Sequence, residues 1–168
     1  MMQVKISLFY NQKEIPEFKY LPQKKIIKKL NFPKNRLIDL VLDINSYTLF
    51  LPWCKKSTII NIEESVSEKI IIADLEIGYK LISDIYRSKV IFDKKKSEIT
   101  VTPLAGPIKK LANIWKFKTL TNKSCQIDFL IEIELNNTLL NKLFENFFEI
   151  GFDKIFKSFE NRAKKIII

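Results

Sequence analysis

The stretch CQIDFLIEIEL, Cys125 to Leu135, decides the architecture together with the segment TLLNKLFENFFEIGFDKIFKSFENRAK, residues 138–164, that follows it. In the first stretch Cys125, Ile127, Phe129, Ile131, Ile133 and Leu135 alternate with Gln126, Asp128, Glu132 and Glu134, and Leu130 is the one apolar residue out of turn. A period of two marks a strand with one covered face and one wet face, the pattern of an antiparallel sheet. In the second stretch Leu140, Leu143, Phe144, Phe147, Phe148, Gly151, Ile155 and Phe159 recur at helical spacing. Phe152 and Phe156 widen the apolar arc beyond the ordinary stripe of about 100°. A helix over these residues would be roughly 40 Å long, and more than one flat sheet face is needed to cover it.

Working back toward the start, the same period of two recurs. Thr58 to Ile62, the run Ile71, Ala73, Leu75 and Ile77, Leu81 to Phe92, Ile99 to Thr102, and Ile114 to Lys118 each read as a strand joined to its neighbour by a short connection. Short connections suit antiparallel neighbours. Lys24 to Asn31 reads as a first strand. Between it and the strand run, Pro33 sits where a helix begins, and Leu37, Leu40, Val41 and Ile44 follow helical spacing to about Asn45. Ser46 is placed to cap a second short helix through Phe50, stopped by Pro52. The order predicts an α+β fold: six or seven antiparallel strands that curve around a long C-terminal helix, with two short helices after the first strand. Residues 1–20, punctuated by Pro16 and followed by Pro22, read as a leader, although Val4, Ile6 and Leu8 alternate as a short strand would. Residues 21–168 read as one domain.

Composition removes whole classes of chemistry. The chain of 168 residues contains no His, so a Ser/His/Asp triad, a Cys/His dyad and a His-ligated zinc site are all excluded. Cys54 and Cys125 are the only thiols, too few for a metal cluster or a disulfide framework. They read as reduced cysteines, Cys125 as a small core thiol. Thirteen Phe and 46% hydrophobic residues are enough for a full core. The net charge of +10, carried almost wholly by Lys, speaks to partners and solubility rather than to fold. No apolar run approaches the roughly 18 residues that span a bilayer. The expected setting is cytoplasmic, with peripheral contact on the inner face of the inner membrane.

LIDLVLDINSYTLFLPWCKKS, residues 37–57, is similar to the entry signature of the coenzyme Q-binding START-like family. ADLEIGYK at residues 73–80, LANIWKF at 111–117 and FENRA at 159–163 fit in the same order. The resemblance covers about Tyr20 to Lys165, and its most specific element is FLPWCKKS, residues 50–57. It implies the helix-grip fold shared with START and polyketide-cyclase-like domains, and ubiquinone bound in an apolar cleft without a further cofactor. The same family includes RatA-type ribosome-association toxins, which bind the large ribosomal subunit. A cyclase-type enzyme ranks last, because no nucleophile-and-base pair is visible.

The cleft so implied would be lined by Phe50, Leu51, Trp53, Leu75, Ile77, Tyr86, Trp115, Phe117, Phe129, Ile131, Phe144, Phe147 and Phe148. Several of these have plainer roles. Trp53 is either a gate at the cleft mouth or a ring pinning its Pro-Trp-Cys turn to the sheet. Trp115 and Phe117 share one strand face, and either enclose a quinone head or form ordinary core. Tyr86 is placed to donate to a quinone carbonyl, but its strand is not cleanly two-sided and its inner face is unassigned. Asp74 and Glu76 share a face opposite Ala73, Leu75 and Ile77, so they read as a solvated pair rather than an acid and a base. Lys55, Lys56, Lys94, Lys95, Lys96, Lys109 and Lys110 read as loop charges, or as a surface for anionic lipid or ribosomal RNA worth about 1 kcal/mol per lysine near an anionic membrane. They lack the interleaved aromatics of a single-strand nucleic-acid reader, except where Trp53 adjoins Lys55 and Lys56. Gly106, within Pro103 to Pro107, is turn chemistry and not a phosphate loop.

Overall fold

A computed structural model describes residues 23–79, 82–136 and 138–167, without the side chains of Tyr79, Ile82 and residues 138–149. The expected leader, residues 1–20, lies outside the described residues. The strands are β1 (Gln23–Leu30), β2 (Cys54–Glu64), β3 (Glu68–Tyr79), β4 (Ile82–Asp93), β5 (Glu98–Ala105), β6 (Ile108–Thr121) and β7 (Ser124–Leu135); the helices are α1 (Lys34–Leu42) and α2 (Thr138–Ile166). The seven strands form one antiparallel sheet in the order β1-β7-β6-β5-β4-β3-β2. The first strand closes on the last because β1 pairs along β7, from Gln23 opposite Glu132 to Leu30 opposite Cys125.

The alternation in β7 becomes burial. Cys125, Ile127, Phe129, Ile131 and Ile133 are buried on the inner face. Register carries that face across the sheet, since Phe129 lies opposite Trp115, Trp115 opposite Ile99, and Ile99 opposite Phe92. Against it α2 packs Phe152, Phe156, Phe159 and Ala163, at spacings of one helical face. At 29 residues α2 runs roughly 43 Å. Inward-facing lysines of β1 hold the helix from the side: Lys24 lies 3.4 Å from Asp153, and Lys28 pairs with Glu160.

The two short helices differ from expectation in detail. Pro33 is the N-cap of α1, one place before the first helical position, and α1 stops at Leu42. The second is a 3-10 helix, Ile44–Leu49, with no side-chain cap; Ser46 sits inside it and its N–H donates to the Asp43 carbonyl. The earlier start has a packing cause, because Ile44 is fully buried and draws the turn inward. This 3-10 helix also covers the outer edge of β2. The Ile59 N–H donates to Asn45 Oδ1 at 2.9 Å, and the Ser57 hydroxyl donates to the Asn45 carbonyl at 3.3 Å. A register shift between Ile59 and Asn61 then kinks the strand, so the free edge is both covered and bent.

Candidate functional site

The inner face of the sheet is closed at one end by rings. Trp115 is 4% exposed. Its ring centroid lies 4.2 Å from Phe129, 5.3 Å from Phe159, 6.2 Å from Phe156 and 6.5 Å from Phe117, while Phe129 also meets Phe152. Trp115, Phe117, Phe129 and Ile131 thus share one packed cluster under the described half of α2. Phe144, Phe147 and Phe148 lie outside the described side chains.

At the other end the same face becomes polar and less covered. Leu75, Leu111 and Ile108 are half-buried, and Ile77 is 44% exposed. Leu75 lies opposite Tyr86, and Ile77 opposite Asp84. Tyr86, Ser88 and Val90 are buried and alternate with exposed or half-buried Arg87 and Lys89, which settles the inner face of β4. The Tyr86 hydroxyl is buried with no hydrogen-bond partner among the described residues, as is Asn113 Oδ1 on the face that carries Trp115. Burial pushes the Tyr86 phenol above its ordinary pKa.

The segment after the 3-10 helix forms the rim. Phe50 packs edge-on against Tyr47 and Phe159, under the Arg162 guanidinium at 5.7 Å. Leu51 is half-buried against the core. Trp53 takes a left-handed backbone, φ 64°, rare for a bulky residue. Its carbonyl accepts from the Gly78 N–H at 2.9 Å, tying the turn to β3. Its ring is half-exposed and points to α2: a Cβ on Gly151 would lie 3.7 Å from it, and Lys154 stands 6.0 Å above it. The backbone of Trp53 is thus bound to the sheet while its ring rests on the helix.

Asp74 is not one of an acid–base pair. Arg87 Nε and the adjacent guanidinium nitrogen donate to its two oxygens at 2.6 and 2.7 Å, on the outer face. Those bonds hold its carboxyl below the usual range. The lysines divide. Lys94 binds Glu64 and the Ser65 carbonyl, Lys96 binds Asp93, and Lys109 and Lys110 lie 3.0 and 3.7 Å from the buried Glu134. Among the described residues Lys55, Lys56 and Lys95 make no ion pair. Both cysteines are free, Cys125 fully buried. Among the described residues no group of His, Cys, Asp or Glu could hold a metal ion, and no helix is long and apolar enough to cross a membrane.

The structure brings Leu75, Ile77 and Tyr86 together at the less covered end, and Trp115, Phe117, Phe129 and Ile131 at the aromatic end, with Phe50, Leu51 and Trp53 on the segment after the 3-10 helix. Ser88, Asn113 and Arg162 were missed. A signal existed for two of them, since Ser88 alternates with Tyr86 and Asn113 with Trp115, so each is a polar residue in an inward row.

Comparison with known proteins adds what geometry alone does not. The family described as polyketide cyclase / dehydrase and lipid transport matches residues 30–160. The ribosome association toxin RatA of Rickettsia prowazekii is 34% identical over 143 residues, covering 83% of this chain and 94% of that protein. The mitochondrial coenzyme Q-binding protein COQ10 of Dictyostelium discoideum is 31% identical over 151 residues, covering 85% of this chain and 69% of that one. Among solved structures, a START superfamily protein from Mycobacterium smegmatis superposes with a TM-score of 0.71 at 13% identity, over 86% of this chain and 98% of that one, a likeness of fold alone.

Proposed function

The chain belongs to the polyketide cyclase / dehydrase and lipid transport family, and on that premise we propose that it is a non-enzymatic carrier holding ubiquinone, or a similar long apolar lipid, between the sheet and α2. The observation that carries the reading is the uneven cover of the inner face. Inward apolar residues stay half-buried or exposed at the Leu75, Ile77 and Leu111 end, while the Trp115 end is sealed. Inward apolar surface left uncovered is where a lipid gains about 25 cal/mol for each Å² it buries. The 31%-identical coenzyme Q-binding relative supports a quinone head on that lipid. Trp53, on its strained turn beside Gly151, stands at the entrance as the ring that a ligand displaces. Lys55 and Lys56, next in sequence, bring that entrance to an anionic bilayer, where quinone is exchanged in support of respiratory electron transport.

A second reading, association with the large ribosomal subunit, is favoured by the 34%-identical toxin relative and by Lys55, Lys56 and Lys95, which make no ion pair among the described residues. One experiment separates the two. Protein purified from cells is extracted for lipid and, in parallel, sedimented with large ribosomal subunits. Quinone near one per protein supports the carrier. Cosedimentation of a lipid-free protein overturns it in favour of the ribosome.

A further inference from the structure

The inner face holds one feature that an apolar cleft does not require. Tyr86 is only 6% exposed, yet its hydroxyl has no hydrogen-bond partner among the described residues, and a buried polar group left unpaired weakens the empty protein. Its backbone is fixed from a neighbouring turn: Gly106, at φ 108°, comes so close that a Cβ there would lie 2.4 Å from the Ile85 carbonyl oxygen and 3.0 Å from Tyr86 Cα. Ser88, 1% exposed, follows on the same face, and Asn113, two strands away and level with Val90, keeps a second buried oxygen without a partner among the described residues. Among the described strand positions, Leu75 lies opposite Tyr86, and Ala73, Ile77, Ser88 and Asp84 surround it on this face, so the one charge among these is an acid.

Resting on the lipid-carrier reading, we propose that Tyr86, with Ser88 beside it and Asn113 further along the same face, anchors a neutral oxygen on the ring head of the bound lipid. A phenol donates to a ring carbonyl or accepts from a ring hydroxyl, and an amide side chain does both in either orientation. The anchor therefore accepts a neutral head in its carbonyl or its hydroxyl form. It disfavours a carboxylate or phosphate head, which would meet the Asp84 carboxylate. The tail lies along Leu75, Ile77 and the half-buried apolar positions.

The test uses three probes with one ten-carbon tail, titrated calorimetrically into the lipid-free full-length protein: a benzoquinone, the same tail on plain benzene, and decanoate. The wild type is expected to bind the quinone about tenfold or more tighter than the other two, the worth of one well-placed hydrogen bond. Tyr86→Phe is expected to bind the quinone only as well as the plain benzene probe. At the same time its empty form should melt about 3 °C higher, because the unpaired hydroxyl is gone. Asn113→Leu should lose part of the preference and serves as the second variant. A Tyr86→Phe protein that keeps the quinone preference, or melts lower, overturns the anchor while leaving the carrier intact. Preference for decanoate overturns the neutral head. A wild type that binds none of the three probes overturns the carrier itself, and the anchor with it.

Discussion

At the scale of single residues, two glycines show how a missing Cβ can mean opposite things. Gly106 combines φ 108° with a backbone oxygen 2.4 Å from where its Cβ would stand. Gly106→Ala is expected to lose about 2 kcal/mol or more in urea unfolding, because both the backbone angle and the space forbid it. Gly151 lies inside α2, and its added Cβ would only touch the Trp53 ring at an ordinary 3.7 Å. Gly151→Ala should gain about 1 kcal/mol from helix propensity. A loss in that variant would show that Trp53 cannot yield, and that the rim is rigid. Neither effect was legible beforehand. Pro103 to Pro107 announced a turn, but which backbone it presses against is a matter of register. Tyr86 was named from its chemistry, and its orientation became readable only when the buried Ser88 showed that a polar residue can occupy an inward row.

At the scale of elements, the strongly periodic ones were legible to within a residue or two. Cys125–Leu135 was expected and Ser124–Leu135 is found; Thr138–Lys164 was expected and Thr138–Ile166 is found. For β6 the alternation predicts only Ile114–Lys118, whereas the strand runs Ile108–Thr121. Asn113 breaks the apolar row, and a register shift near Lys109 breaks the alternation, so the pattern fell silent while the pairing continued. β5 was lengthened in the same way, through Pro103, which pairs opposite Ser88. The packing of α2 gives two expectations. Phe156, buried against Trp115 and Phe129, should cost about 3–5 kcal/mol on truncation to Ala, measured by denaturant unfolding. Glu160 is held below the usual carboxylate range by Lys28 on β1 and by Lys164 on its own helix. A carboxyl lowered in the folded state stabilises above its unfolded pKa, and that contribution drains away as pH falls through the folded value. Stability should therefore decline from about pH 5 downward, and Glu160→Gln should decline less steeply over that window. An unchanged slope would show that the link between α2 and β1 contributes nothing.

At the scale of the whole molecule, the fold places a sealed aromatic core and a less covered, partly polar inner face at opposite ends of one sheet, with Trp53 bridging sheet and helix at the rim. The general plan of sheet around helix followed from the two periodicities. The division of the inner face did not, because alternation marks which residues point inward and not which of them end up covered. Trp53 ties the two levels together. A left-handed backbone on a bulky residue stores strain, of order 1–3 kcal/mol, which the Gly78 hydrogen bond and the ring contact at Gly151 offset. On the carrier reading proposed above, an entrance at Trp53 would open by breaking the ring contact alone, since the backbone stays tied to β3. Trp53→Gly relieves the strain and removes the ring, so the protein should remain folded by circular dichroism and keep its affinity for a short-tailed quinone within about twofold, a change under 0.5 kcal/mol. The rate of quinone transfer between donor and acceptor vesicles should rise severalfold. Trp53→Ala should speed transfer as well but unfold more readily, because the strain remains without the ring that offset it. Vesicle-transfer kinetics beside equilibrium titration decide the matter. If affinity falls in step with the faster transfer, Trp53 belongs to the bound site; if neither changes, the entrance lies elsewhere on the inner face.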